Sequence, residues 1–169
     1  MQTYKILFAG RNTLAVTCLE HIVNSGNHQI TVVPASAISK DTTQNNLAEW
    51  AMRMELKVCH TDINLIKEEY DFLFSVLFDK RIGKNILSGT KCFNLHPAPL
   101  PKYAGVNPIY WAIRNGEREY GVTLHEMDPE FDTGKIVAQR MFPIEACATA
   151  RDLFDRAHWQ AGEMFKEAL

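Results

Sequence analysis

The first half of the chain alternates short apolar runs with helical stripes, and this rhythm constrains the fold more than any other feature. Lys5 to Ala9 is a short, mostly apolar run ending in Gly10. From Thr13, apolar residues fall at Leu14, Cys18, Leu19, Ile22 and Val23, the spacing of one helix face. Asn24-Ser25-Gly26-Asn27 stops that helix. Gln29 to Val33 is β-branched and closed by Pro34. A polar stretch, Ser36 to Asn46, leads into a helix with Leu47, Trp50, Ala51 and Met54 on one side. Val58-Cys59-His60 reads as a short strand, and Asp71 to Leu77 and Cys92 to Leu95 read as buried ones. Unbroken apolar strands separated by helices imply βαβ units. The expected fold is α/β, a mostly parallel sheet with helices on both faces.

The second half follows a different pattern. His96 to Pro108 is rich in proline and reads as a long loop, followed by a helix from Pro108 to Asn115 that Gly116 closes. Tyr120 to Met127 and Lys135 to Phe142 read as two strands joined by the acidic turn Asp128 to Gly134, an antiparallel pair near the C-terminus. The chain closes with a helix. Thr149 and Asp152 form a capping pair, and Leu153, Phe154, Ala157, Ala161, Met164, Phe165 and Ala168 make one apolar stripe. No linker or repeat interrupts the 169 residues, so one domain spanning 1–169 is expected.

Charge and cysteine use narrow the classes of function. The net charge of −2 argues against a dedicated nucleic-acid binder. No apolar run approaches the roughly 20 residues that span a bilayer, so no membrane partner is expected. The N-terminus lacks signal-peptide anatomy, and the four cysteines form no CxxC pair, which points to a reducing, cytoplasmic setting with free thiols. The six histidines are scattered, without HExxH or His/Cys spacing, and no metal is expected.

The densest chemical signal is Asn94-Leu95-His96-Pro97-Ala98-Pro99-Leu100-Pro101. Period-two geometry puts the Asn94 amide and the His96 imidazole on one strand face. They lie near the C-terminal strand end, where open α/β sheets hold ligands. Pro97 stiffens the exit from the strand. A lone strand-end histidine is often only hydrogen-bonded in place, but the paired amide and stiff loop favour chemistry. The second signal is the acidic turn. It could be no more than a solvated turn. Asp132 followed by Thr133-Gly134, however, lets a carboxylate approach another backbone closely. Gly10-Arg11-Asn12 is not GxGxxG, so a dinucleotide fingerprint is absent and a nicotinamide oxidoreductase is disfavoured.

Two stretches resemble the signature of 10-formyltetrahydrofolate-dependent formyltransferases. One is Phe93 to Gly105; the other is Gly121 to Asp128 continuing into Asp132-Thr133-Gly134-Lys135-Ile136-Val137. That family includes glycinamide ribonucleotide, methionyl-tRNA and amino-sugar formyltransferases, and the resemblance runs from Tyr4 to about Phe142. It implies a Rossmann-like formyltransferase fold. It also implies that Asn94, His96 and Asp132 are catalytic, with 10-formyltetrahydrofolate as formyl donor. Asn94 would donate to the formyl oxyanion, worth ~3 kcal/mol by analogy with other oxyanion holes. His96, if charged, would donate a second bond, and Asp132 would favour the imidazolium.

By the same resemblance the folate lies between the loop after the fourth strand and the acidic turn. Phe78 and Ile82 would pack on the pterin, Lys80 or Arg81 would meet the glutamate tail, and Asp128 to Asp132, including Glu130, would close the other side. Gly10 and Arg11 would face the acceptor, with the helix N-terminus and guanidinium able to hold a phosphate. Tyr103 and Gly105 of the post-histidine loop also fall on the acceptor side. The expected partner is a small-molecule amine, and Pro101 to Tyr103 with Asn115 to Glu117 look closest to the sugar-nucleotide branch.

The sequence departs from the family at Ala104, where several sugar and tRNA enzymes carry arginine. Neither the basic second domain of tRNA-acting relatives nor the C-terminal strands of sugar enzymes is present up to Leu169. A minimal enzyme, a homodimer and a part of a larger multidomain chain are all open. Transfer to methionyl-tRNA, glycinamide ribonucleotide or a carrier-bound amino acid, formyltetrahydrofolate hydrolysis, and non-catalytic folate binding are the alternatives.

Overall fold

The computed structural model describes residues 2–35 and 47–169. The polar stretch read between Ser36 and Asn46 lies outside them. Seven strands form one mixed sheet in the order β3-β2-β1-β4-β5-β6-β7. They are β1 (Lys5–Gly10), β2 (Gln29–Pro34), β3 (Lys57–Val58), β4 (Phe72–Val76), β5 (Lys91–His96), β6 (Glu119–Glu126) and β7 (Ile136–Pro143). The helices are α1 (Asn12–Ser25), α2 (Leu47–Arg53), α3 (Lys84–Leu87), α4 (Pro108–Arg114) and α5 (Ala150–Ala168). The chain divides into two compact units, Met1–Phe93 and Asn94–Leu169, with the boundary inside β5. Among the described residues no helix is long and apolar enough to cross a membrane.

In the first unit β1 pairs in parallel with both β2 and β4, in the registers Phe8↔Val32 and Phe8↔Phe74. A strand paired on both sides with both faces covered must be apolar throughout, and Ile6 to Gly10 are all buried. The α1 stripe of Leu14, Cys18, Leu19 and Ile22 is buried as its periodicity predicts. Asn12 starts this helix by accepting a bond from the Leu14 N–H at 3.2 Å. The run at Val58-Cys59-His60 shortens to Lys57–Val58, with one further ladder bond from Cys59 N–H to the Val32 carbonyl. Two elements carried no usable period: α3 and a 3-10 turn at Ile63–Leu65 are each a single turn.

In the second unit β6 and β7 are antiparallel, from Glu119↔Pro143 to His125↔Ile136. Register shifts between Leu124 and His125, so that Val137 is the extra residue of a bulge. The α5 helix starts with a complete capping box between Thr149 and Asp152 and buries Leu153, Ala157, Ala161, Met164 and Phe165. Phe154 and Ala168 fall outside the buried stripe. Phe154 is half-buried and lies against the His158 ring, with centroids 3.8 Å apart.

Candidate active site

The sequence-predicted triad converges inside the second unit. Asn94 and His96 lie among the last three residues of β5, two residues apart on one face. The loop after His96 is pinned from β6 and β7. Leu100 N–H donates to Thr123 Oγ1 at 3.1 Å, Thr123 Oγ1 donates to the Ala98 carbonyl at 2.7 Å, and Gln139 Nε2 donates to the Leu100 carbonyl at 2.7 Å. These bonds satisfy a proline-rich segment that has few donors of its own.

Asp132 reaches the same place through a tight crossing of the β6–β7 connection. A Cβ on Gly134 would sit 1.8 Å from the Glu126 carbonyl oxygen, so only glycine allows that approach. Asp128 ties the turn by accepting from Glu130 N–H at 3.0 Å and Thr133 Oγ1 at 2.8 Å. Asp132 itself is left-handed, at φ 56°. Its Oδ2 accepts from Gly105 N–H at 2.9 Å and lies 3.6 Å from His96 Nδ1. Its Oδ1 lies 3.5 Å from Asn94 Nδ2 and 3.5 Å from His125 Nε2.

His125 is the functional candidate that sequence reasoning missed. It is 2% exposed, and its Nδ1–H donates to the Glu126 carbonyl at 2.8 Å. In the neutral ring Nε2 is then an acceptor, and Asn94 Nδ2 stands 3.1 Å away. That contact fixes the amide so that its NH2, not its oxygen, faces the histidine and the carboxylate. The signal was available: a histidine closing a mostly apolar, buried run, shortly before the acidic turn that starts at Asp128. The bulge at this point aims the side chain.

Burial decides the protonation of His96. It is 7% exposed, and desolvation pushes its pKa below 6.5; the Asp132 charge and the Tyr103 carbonyl oppose that, and His125 adds to it. The free site thus holds His96 neutral near pH 7, and the help expected from Asp132 is outweighed until charge develops. For Asp132, burial alone would raise the pKa. The neighbouring His125 and His96 rings and the Gly105 N–H together hold it below 3.8.

The remaining site candidates are placed as follows. Tyr103 and Gly105 belong to the second unit. The Tyr103 carbonyl accepts from His96 Nε2 at 3.1 Å, and the Gly105 N–H is spent on Asp132. Glu130 is exposed on the acidic turn. The others belong to the first unit. Gly10 is buried, with its Cα against the Val76 carbonyl, where a Cβ would come within 2.7 Å. Arg11 is exposed at the start of α1. Phe78 is half-buried, Lys80 stands 3.9 Å from Asp62, and the Arg81 carbonyl accepts from Asn64 Nδ2 at 3.0 Å. Ile82 is buried, only 3% exposed.

This geometry coincides with a family assignment. A model of the formyl transferase family matches residues 24–169, and the chain belongs to that family. Among curated relatives, the methionyl-tRNA formyltransferase of Alkaliphilus oremlandii is 30% identical over 179 residues, covering 98% of this chain and 58% of its own length. That of Azobacteroides pseudotrichonymphae is 32% identical, covering 89% and 51%. The chain thus spans little more than half of the curated relatives it matches. Among solved structures, WlaRD, a sugar 3N-formyl transferase crystallised with dTDP and 5-N-formyl-THF, is 35% identical. Its TM-score is 0.87, over 99% of this chain and 62% of that one. The N-formyltransferase of Helicobacter canadensis, in complex with folinic acid and dTDP-3-aminofucose, is 33% identical with a TM-score of 0.84, over 96% and 61%. Phosphoribosylglycinamide formyltransferase from Bacillus halodurans, at 20% identity and a TM-score of 0.81, shares the fold.

Proposed function

We propose that the chain carries the catalytic centre of an enzyme that moves a formyl group from 10-formyltetrahydrofolate to a primary amine. The observation that carries this reading is the meeting of Asn94, His96 and Asp132, with Asp132 3.5 Å from Asn94 and 3.6 Å from His96, in one cluster. The amine nitrogen attacks the formyl carbon, a C–N bond forms, and negative charge gathers on the formyl oxygen. The bond to folate N10 then breaks, and the proton lost by the amine ends on N10. Asn94 Nδ2 meets the oxyanion by giving up its 3.5 Å contact to Asp132, the loosest that it makes. His96 takes up the amine's proton, and the resulting imidazolium is paired by Asp132 at 3.6 Å.

The proposed acceptor is an amino-sugar nucleotide. Support comes from the two sugar N-formyltransferase structures at 33% and 35% identity and from the net charge of −2, which gives tRNA no strong attraction. The curated relatives favour a second reading, methionyl-tRNA. Phe78, Lys80, Arg81 and Ile82 in the first unit, and Asp128 and Glu130 in the second, are proposed folate contacts. Gly10 and Arg11 in the first unit, and Tyr103 and Gly105 in the second, are proposed for the acceptor side. Incubation with 10-formyltetrahydrofolate and a dTDP-amino sugar should yield formamide and tetrahydrofolate. Formate released equally fast without amine would replace the transferase with a hydrolase. Formylation of methionyl-tRNA alone would replace the acceptor, and tight folate binding without turnover would leave a binding module.

A further inference from the structure

We infer that Tyr103 is a positioning residue: its side chain, anchored away from the reacting centre, holds its own carbonyl against His96 Nε2 and so leaves Nδ1 as the nitrogen that exchanges the proton. The inference deepens the formyl-transfer reading and rests on it for its kinetic part only.

Tyr103 is tied at both ends. Its carbonyl oxygen accepts from His96 Nε2 at 3.1 Å. Its hydroxyl donates to Glu117 Oε1 at 2.7 Å and accepts from Asn115 Nδ2 at 3.0 Å, both just beyond α4. Lys102 Nζ braces the same Glu117 oxygen at 2.8 Å. Between these anchors the Tyr103 backbone is left-handed, at φ 61°. That conformation is uncommon and unfavourable for a residue with an aromatic side chain. The hydroxyl anchor holds the segment on one side, and the Gly105 N–H bond to Asp132 ties it two residues further on. Once released, the backbone relaxes toward negative φ and turns the carbonyl from the imidazole.

The chemical consequence concerns which nitrogen carries the hydrogen. A carbonyl can only accept, so the neutral His96 ring bears its hydrogen on Nε2. Nδ1 then faces Asp132 Oδ2 at 3.6 Å, beyond a full hydrogen bond and short enough to stabilise a proton that arrives there. Without the carbonyl, the carboxylate is the stronger acceptor and draws the hydrogen to Nδ1 in the resting state. The ring then starts with its proton-accepting nitrogen already filled. The charged and titratable groups around this pair are Asp132 and His125 on the His96 side. Glu117 and Lys102 brace the Tyr103 hydroxyl side, and the Tyr120 ring lies 6.2 Å from the Tyr103 ring.

The test is imidazole 15N spectroscopy on the whole chain at a pH where His96 is neutral. The wild type should show the Nε2–H form with slow solvent exchange at that hydrogen. Tyr103→Phe and Glu117→Ala should both move His96 toward Nδ1–H and speed the exchange. Glu117→Gln keeps an oxygen for the hydroxyl and should retain the wild-type spectrum. In the assay, Tyr103→Phe and Glu117→Ala should lower kcat about threefold to tenfold with KM for folate unchanged. A wild-type ring protonated on Nδ1, or His96 shifts unmoved in both variants, overturns the proposal. Failure of the wild type to formylate any amine would overturn the functional reading and leave the spectra to decide Tyr103.

Discussion

The two units bury different things. The first buries apolar side chains in continuous runs, Ile6 to Ala9, Val32-Val33 and Leu73-Phe74, with Thr31 and Ser75 as buried polar residues among those described. The second buries two imidazoles and a hydroxyl, His96, His125 and Thr123, beside the half-buried Asp132. Among the described residues, the buried side-chain polar atoms without a partner, Tyr120 Oη and His158 Nε2, also belong to the second unit. A core of the first kind gains stability from area removed from water. One of the second kind must satisfy each polar group or lose free energy. The difference teaches where the proposed function resides: the unit with the buried imidazoles is the one that holds the proposed catalytic triad.

Substitutions in the two units should therefore fail in opposite ways. His96→Ala should lower formyl transfer by about 10³-fold or more while leaving the unfolding midpoint nearly unchanged. Wild-type rates in that variant would remove the second unit's claim to the chemistry. Phe8→Ala in β1 should cost about 3–5 kcal/mol in urea unfolding. The folded fraction should keep its kcat, and a specific loss of kcat at full stability would erase the contrast between the units.

The same contrast explains what was legible in the sequence. Apolar periodicity carries strands and long helices, so β1, α1, β2, β4, β5, β6, β7 and α5 could be read within a few residues. The single-turn α3 and the 3-10 turn at Ile63–Leu65 have too few residues to show a period. Asn94 and His96 were readable because strand alternation alone puts them on one face. The approach of Asp132 rested on Gly134, whose meaning is steric and therefore visible in sequence only as a hint. His125 escaped because a buried histidine looks the same as a satisfied core residue until its partners are known. The neutral resting state of His96 also escaped: the nearby carboxylate is apparent from residue type, whereas the opposing desolvation depends on packing.

Asp132→Asn tests that balance. Asp132 raises the His96 pKa against burial, so its removal should shift the acid limb of kcat/KM to lower pH. The rate should fall about 10²-fold, since the developing imidazolium loses its counter-charge. An unshifted acid limb would mean that the carboxylate does not act on His96. His125 provides a narrower check. His125→Ala should release the Asn94 amide from its fixed orientation and lower kcat about tenfold. A stability cost alone, with kcat intact, would return His125 to the role of packing.

The smallest expected effect is in the response to acid, and its sign follows from the same polar burial. Desolvation is the leading cause that lowers the pKa of His96, and it also lowers that of His158, where the Phe154 carbonyl and Asp155 oppose it and Arg151 adds to it. A histidine whose folded pKa lies below the unfolded 6.5 binds its proton first in the unfolded chain. Stability is therefore full above about pH 6.5 and falls as pH drops below it, by at most about 1.4 kcal/mol per pH unit for each group. The decline stops once pH passes the folded value, because the native state is then charged as well. Asp132 works in the opposite range: with its pKa held below 3.8, its contribution persists through this window and is lost only in stronger acid. Urea midpoints measured from pH 7.5 to 5 should fall with a slope that His158→Leu reduces, since that change removes one of the two titrations. The comparison becomes sharper if the transition is followed separately at Trp50 in the first unit and Trp159 in the second. Coincident transitions would show that the acid sensitivity of the polar core is transmitted to the apolar one. A transition at Trp159 alone that moves with pH would show that the second unit bears the cost of its buried imidazoles by itself.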